Sequence, residues 1–215
     1  MMKKKVICFD LDNTLINSEK AHVLAYNAAL QKHGFKPVSF SRIVHIFGRP
    51  NQEVARILTK SSDVRLIEKV HRDHYTFLIH EYSRYARVFP GVISTLKKLK
   101  KKYRFVVLSN TSHGSILALL KSAGLSRTLF DAVVGNDDVL HPKPWPDEIF
   151  YAEKRLHDNV LFMVGDSIYD IMAGKKARVK TIAILSGRYT RKQLAVYQPD
   201  FFVKEFKDLL TILPL

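Results

Sequence analysis

One apolar run that ends abruptly at two acids constrains this chain more than any other feature. Residues 6–9, Val-Ile-Cys-Phe, are followed at once by Asp10-Leu11-Asp12-Asn13-Thr14. Four apolar residues, partly β-branched and aromatic, make the pattern of a strand buried on both faces of a parallel sheet. Ligands of open α/β sheets bind at the carboxyl ends of such strands, so Asp10, Asp12 and the Thr14 hydroxyl stand where chemistry is expected. Two acids two residues apart repel at close range. One is protonated or a cation lies between them, unless both are simply solvated in a turn.

The rest of the chain follows the same grammar after residue 90. A helix is expected over 92–102, a strand over 105–108, a helix over 115–123 and a strand over 132–134. Then come a helix over 146–156, a strand over 160–164, a helix over 168–177 and a strand over 181–185. The tail adds an edge strand over 201–203 and a helix over 204–213. Strands alternating with helices imply right-handed parallel βαβ units. Between the first strand and the second the pattern is helical throughout, over 18–32, 40–46, 51–60 and 63–81, with Ser18 as a helix cap. That block reads as an insertion, a lid over the strand ends. The expected division is a core of 1–15 and 88–215 with a cap of 16–87.

Three further polar clusters follow buried strands. Leu108 leads into Ser109-Asn110-Thr111-Ser112 just before a helix, where hydroxyls, an amide and free N–H groups suit phosphate oxygens, or where the hydroxyls merely cap the helix. His141-Pro142-Lys143-Pro144-Trp145-Pro146 presents Lys143 on a stiff strut, because each proline fixes its own φ and restricts its predecessor. Gly165-Asp166-Ser167-Ile168-Tyr169-Asp170 puts two carboxylates on one side of a helix start, where the helix dipole favours acids in any case. Four carboxylates at one sheet edge are the oxygen donors that a hard cation such as magnesium takes.

Composition narrows the classes. With 47% hydrophobic and 26% charged residues the chain reads as a globular protein. Its single cysteine, Cys8, excludes an intrachain disulfide and falls inside the first strand, so it reads as a small buried hydrophobe. No apolar stretch approaches the roughly 18 residues of a membrane span, and the run behind the basic start is too short for a secretory signal; a cytoplasmic protein is expected, with no membrane partner. The net charge of +15 permits nucleic-acid binding. However, the basic residues spread over helix faces without the aromatic interleaving of a single-strand platform, which argues for solvated faces. Monomer and homodimer stay open.

Asp10-x-Asp12-x-Thr14, Ser109, Lys143 and Gly165-Asp166-x-x-x-Asp170, in that order, resemble the four motifs of the haloacid dehalogenase (HAD) superfamily, in the branch of phosphoglycolate phosphatase and β-phosphoglucomutase. The resemblance spans residues 6 to about 187 and implies a Rossmann-like parallel α/β core with an inserted all-helical cap. It implies a phosphatase of small phosphate monoesters in which Asp10 is the nucleophile, Asp12 the general acid and base, and Ser109, Asn110 and Lys143 the phosphate-binding groups. Magnesium would be held by Asp10, the Asp12 main-chain carbonyl and Asp166, with Asp170 and Thr14 in support. A 2-haloacid dehalogenase and a phosphosugar mutase share the fold; Asp12 argues against the first, and the second stays open. Asn13 stands where glycine is commoner, and asparagine tolerates left-handed backbone. Phe47-Gly48-Arg49-Pro50 resembles the cap turn of the branch. Arg49 is thus a candidate contact for a second anionic group, or an exposed helix-start arginine. His71 and His74, three apart on one helix, lack a third ligand for a metal.

Overall fold

The computed structural model describes residues 5–213, so the basic start at 1–4 lies outside the described residues. Its first strand, β1 (Lys5–Asp10), has Val6, Ile7, Cys8 and Phe9 all fully buried. Alternation sends successive side chains to opposite faces. Ile7 and Phe9 join a cluster with Leu96, Phe105 and Leu119, whereas Val6 and Cys8 join a second one with Ile149, Met163 and Ala173. Cys8 is the small buried hydrophobe expected, and burial pushes its thiol pKa up.

A two-residue strand β2 (Ile16–Asn17) leads into the helices α1 (Glu19–Lys32), α2 (Phe40–Val44), α3 (Asn51–Thr59) and α4 (Val64–Phe77), and β3 (Arg87–Val88) follows. β2 and β3 pair antiparallel. No strand is legible in this stretch of sequence, yet the ribbon ties together the two chain segments that enter and leave the helices. The helices bury a cluster of their own around Tyr26, Leu30, Ile43, Ala55 and Val70. Their ends differ from the sequence reading for local reasons. α2 stops at Val44, and α3 stops at Thr59 because Lys60 turns left-handed, with φ of 53°. Asp63 caps α4, accepting from the Arg65 N–H at 2.9 Å. Beyond Phe77 the backbone widens into a π turn over Leu78–Tyr82 and tightens over Ser83–Tyr85, where a straight helix to 81 was expected.

The remaining elements are α5 (Val92–Leu99), β4 (Tyr103–Ser109), α6 (His113–Ser122), β5 (Ala132–Gly135), α7 (Asp147–Leu156), β6 (Val160–Gly165), α8 (Ile168–Lys176), β7 (Lys180–Ile184), α9 (Arg191–Ala195), β8 (Phe201–Val203) and α10 (Leu209–Ile212). The sheet runs β5-β4-β1-β6-β7-β8 with every neighbour parallel. β1 lies between β4 and β6, so the loops after these strands converge at its carboxyl end, the crevice where α/β folds bind ligands. Two expectations are corrected here. α9 was not read from the sequence, and the helix expected over 204–213 shrinks to α10. Glu205 stays extended, and the carboxylate of Asp208 draws in its N–H at 3.0 Å to close a short turn over Phe206–Asp208. No described helix is long and apolar enough to cross a membrane.

Candidate active site

At the carboxyl end of β1, Asp10 enters a buried network of alternating charge. The Lys143 ammonium donates to Asp10 Oδ1 at 2.6 Å, to Asp170 Oδ1 at 2.7 Å and to the Leu108 carbonyl at 3.2 Å. All three of its hydrogens are thereby used. Lys143 is only 2% exposed. Burial works against its charge, but Asp10 and Asp170 outweigh that and raise its pKa. Asp170 lies in the first turn of α8. Its second oxygen accepts from the Ser167 N–H at 3.1 Å and the Ser167 hydroxyl at 2.6 Å, a reciprocal cap that holds the carboxylate toward Lys143.

Asp166 completes the cluster. Oxygens of Asp10, Asp166 and Asp170 lie within 4.8 Å of one another, and no other group with metal-binding spacing occurs among the described residues. Burial, and then the neighbouring carboxylates, push the pKa values of Asp10 and Asp166 well up despite Lys143. The Thr14 hydroxyl donates to Asp166 Oδ1 at 3.3 Å. Gly187, in the loop after β7, is flush against Asp166: a Cβ there would lie 1.7 Å from Asp166 Oδ2. Asn13 between the two acids takes the left-handed conformation, φ 60°, that its side chain tolerates.

Asp12 faces a different neighbourhood. Its Oδ1 accepts from the Ser18 hydroxyl and meets His22 Nε2 at 3.2 Å, while its Oδ2 accepts from the Ser109 hydroxyl at 3.2 Å. Burial pushes this carboxyl up. The attraction of His22 and the hydrogen bonds from His22, Ser18 and Ser109 outweigh it and hold Asp12 below the usual range. Ser18 does stand at the cap position of α1, but its side chain makes no cap bond and serves Asp12 instead. Behind His22, its Nδ1 meets His74 Nε2 at 3.1 Å, and the His74 ring stacks on Tyr26 at 3.7 Å. His74 is thus engaged by α1, and neither it nor His71 joins a metal-spaced cluster.

The remaining expected residues sit nearby. Asn110 donates its amide to the Gly48 carbonyl at 2.8 Å and to the Lys143 carbonyl at 2.9 Å, tying the turn before α3 to the lysine loop. Arg49 lines the pocket and is paired with Glu53 one helical turn on. Trp145 is 53% exposed with the Lys176 ammonium 3.8 Å over its ring, outside the site. The sequence reading missed His22, Arg188 and Tyr189, the first beside Asp12 and the last two at the pocket wall, and it weighed His74 only as a metal ligand, not as the partner of His22. For His22 a signal exists: it lies in the first turns of the helix that directly follows the acidic loop. Asp10, Asp12, His22, Ser109, Asn110, Lys143 and Asp166 line one pocket, with Arg49, Arg188 and Tyr189 at its wall.

The family of haloacid dehalogenase-like hydrolases matches residues 7–184. Pyrophosphatase PpaX of Bacillus velezensis is 31% identical over 222 residues, covering 99% of this chain and 98% of the relative. The PpaX pyrophosphatase of Oceanobacillus iheyensis is 27% identical over 214 residues, covering 98% and 97%. Among solved structures, a haloacid dehalogenase-like hydrolase from Bacteroides fragilis superposes with a TM-score of 0.88 at 27% identity, covering 96% of this chain and 100% of its own. A predicted phosphoglycolate phosphatase from Haemophilus somnus 129PT gives 0.84 at 26%, covering 99% of both. With the motif residues gathered at one strand edge and the match spanning most of its length, the chain belongs to the haloacid dehalogenase-like hydrolase family.

Proposed function

We propose that the protein is a magnesium-dependent phosphatase that hydrolyses a small phosphorylated metabolite through an aspartyl phosphate, with residues 16–87 acting as a cap over the site. The observation that carries this reading is the meeting of Asp10, Lys143 and Asp166 at one strand edge with Asp12 beside them, turned toward α1. The β2–β3 ribbon at the limits of the helical segment, and its separate apolar cluster, support its reading as a cap.

Asp10 attacks phosphorus and takes the phosphoryl group as an acyl phosphate. Asp12 gives the departing oxygen its proton, then accepts one from the water that attacks the acyl phosphate and releases inorganic phosphate. Ser109 orients Asp12, with His22 on the other oxygen of the same carboxylate. The Lys143 ammonium, fixed between Asp10 and Asp170, faces the charge that develops on the transferring group. Crowded, buried carboxylates fit a hard divalent cation, and Asp10, the Asp12 carbonyl and Asp166 would hold it. Magnesium there would supply neutralising charge to the phosphoryl oxygens. Asp170, whose oxygens serve Lys143 and Ser167, positions rather than ligates.

The pyrophosphatase names of the relatives and the low pKa of Asp12 support substrates whose leaving group departs as a stable anion, since these ask least of a general acid. The test is inorganic phosphate release from pyrophosphate, phosphoglycolate, sugar phosphates, mononucleotides and p-nitrophenyl phosphate, with magnesium and with chelator. Magnesium-dependent release from at least one compound is expected. Folded protein that releases phosphate from none of them would overturn the reading.

A further inference from the structure

Three cations line the pocket, and their situations differ. Lys143 has all its donors used, and Arg49 is paired with Glu53. Arg188, from the loop after β7, makes no hydrogen bond among the described residues, and its Nη1 is buried without a partner. A buried donor left unpaired is destabilising and calls for an explanation. Burial pushes the Arg188 pKa down against the attraction of Tyr189, Glu19 and Asp166, and the charge of Arg49 acts in the same direction as burial. Of the two acids that attract Arg188, Glu19 accepts from the Asn13 amide at 3.1 Å and Asp166 from the Thr14 hydroxyl at 3.3 Å.

The loop has little freedom to take Arg188 elsewhere. The Leu185 N–H donates to the Val203 carbonyl at 2.9 Å, the Ser186 hydroxyl donates to the Asn13 carbonyl, and Gly187 lies flush on Asp166. Two contacts to the acidic centre therefore immediately precede Arg188 and set its backbone relative to Asp10 and Asp166. A planar guanidinium with unspent N–H groups, held at the wall of a site that takes a phosphoryl group, is built to receive a second anion in a forked contact.

We propose that Arg188 is the specificity residue that recognises a second anionic group, phosphate or carboxylate, on the leaving part of the substrate. This rests on reading the pocket as a phosphoryl-transfer site, but its test does not depend on turnover. Three unhydrolysable ligands separate the cases: methylphosphonate has one anionic end, methylenediphosphonate adds a second phosphonate, and phosphonoacetate adds a carboxylate. Calorimetric binding at one magnesium concentration, to the wild type, Arg188→Gln and Arg188→Lys, reads the contact.

The wild type should bind one two-ended ligand more tightly than methylphosphonate, and which one it prefers identifies the second anion. Arg188→Gln should weaken that ligand by about tenfold or more, and methylphosphonate by less than roughly threefold. Arg188→Lys, which keeps the charge but not the fork, should fall between. Equal losses for all three ligands, no loss, or a wild type that shows no preference for two anionic ends would overturn the proposal. A protein that passes this binding test yet releases no phosphate from any ester would fail the proposed activity alone.

Discussion

Asp10 and Asp12 leave the same strand end, yet they live in two regions built from different parts of the chain. The Asp10 side is made by the sheet edge: Lys143 from the loop after β5, and Asp166 and Asp170 from the loop and helix after β6. The Asp12 side is made mostly by the helical segment, with Ser18 and His22 at the start of α1, His74 of α4 behind them, and Ser109 from the sheet. Burial opposes ionisation in both places. It wins at Asp10, where carboxylates crowd in, and loses at Asp12, where His22, Ser18 and Ser109 supply attraction and hydrogen bonds. Identical side chains two residues apart thus receive opposite electrostatic settings from their tertiary neighbours. In a carboxylate pair the raised group ordinarily serves as the acid while the depressed one stays ionised, so the proposed role of Asp10 as nucleophile requires a cation beside it to keep it ionised.

The largest expected effect tests the Asp10 side. Asp10→Asn keeps the shape and the contact with Lys143 but removes the attacking carboxylate, so phosphate release should fall on the order of 10⁴-fold or more. Thermal melting of the same variant should stay cooperative. Phosphate release near the wild-type rate would erase the distinction between the two acids.

A smaller effect tests the Asp12 side. His22→Gln removes an attraction and a hydrogen bond that hold the Asp12 pKa down. The Asp12 pKa should rise, so the acidic limb of the pH–rate profile should move to higher pH, with activity at its optimum reduced about tenfold to a hundredfold. An unmoved limb would mean that His22 only packs against Asp12.

The last test reads stability and leaves turnover untouched. Glu148 of α7 is fully buried on the Asp10 side, and burial, partly offset by Lys143, pushes its pKa from 4.5 up to about 7. A carboxyl raised on folding contributes stability below its unfolded value, and that contribution is lost as the pH rises through the folded one. Glu148→Gln should therefore be more stable than the wild type at pH 8, by on the order of 3 kcal/mol and with a higher melting temperature, and the difference should be gone by pH 4. Equal melting temperatures at pH 8 would show that the Asp10 side does not carry excess buried carboxylate charge.

The sheet edge was legible because its signals are local. Asp10, Asp12, Ser109 and Asp166 each follow a short apolar run, and a buried strand that ends in polar residues can be read from a handful of neighbours; Lys143 is marked instead by the prolines on either side of it. Helix ends were less legible, since the left-handed turn at Lys60 and the capture of the Glu205 N–H by Asp208 are local competitions that periodicity does not show. The β2–β3 ribbon was illegible for another reason: its partners are two residues long and about seventy residues apart.

By itself, then, the sequence determined a parallel α/β core with a helical insertion, and an acid-rich site at the end of its first strand. What only the tertiary structure decided is who stands beside whom at that site. His22 looks like any helix histidine until α1 packs it against Asp12, and Arg188 like any loop arginine until the Ser186 and Gly187 contacts bring it to the pocket wall. The physical reason is range. Strand burial and turn chemistry act between residues close in sequence. The electrostatic setting of a buried carboxylate depends instead on charges within a few ångströms in space, and only the sheet order and the packing of the helices bring those charges there.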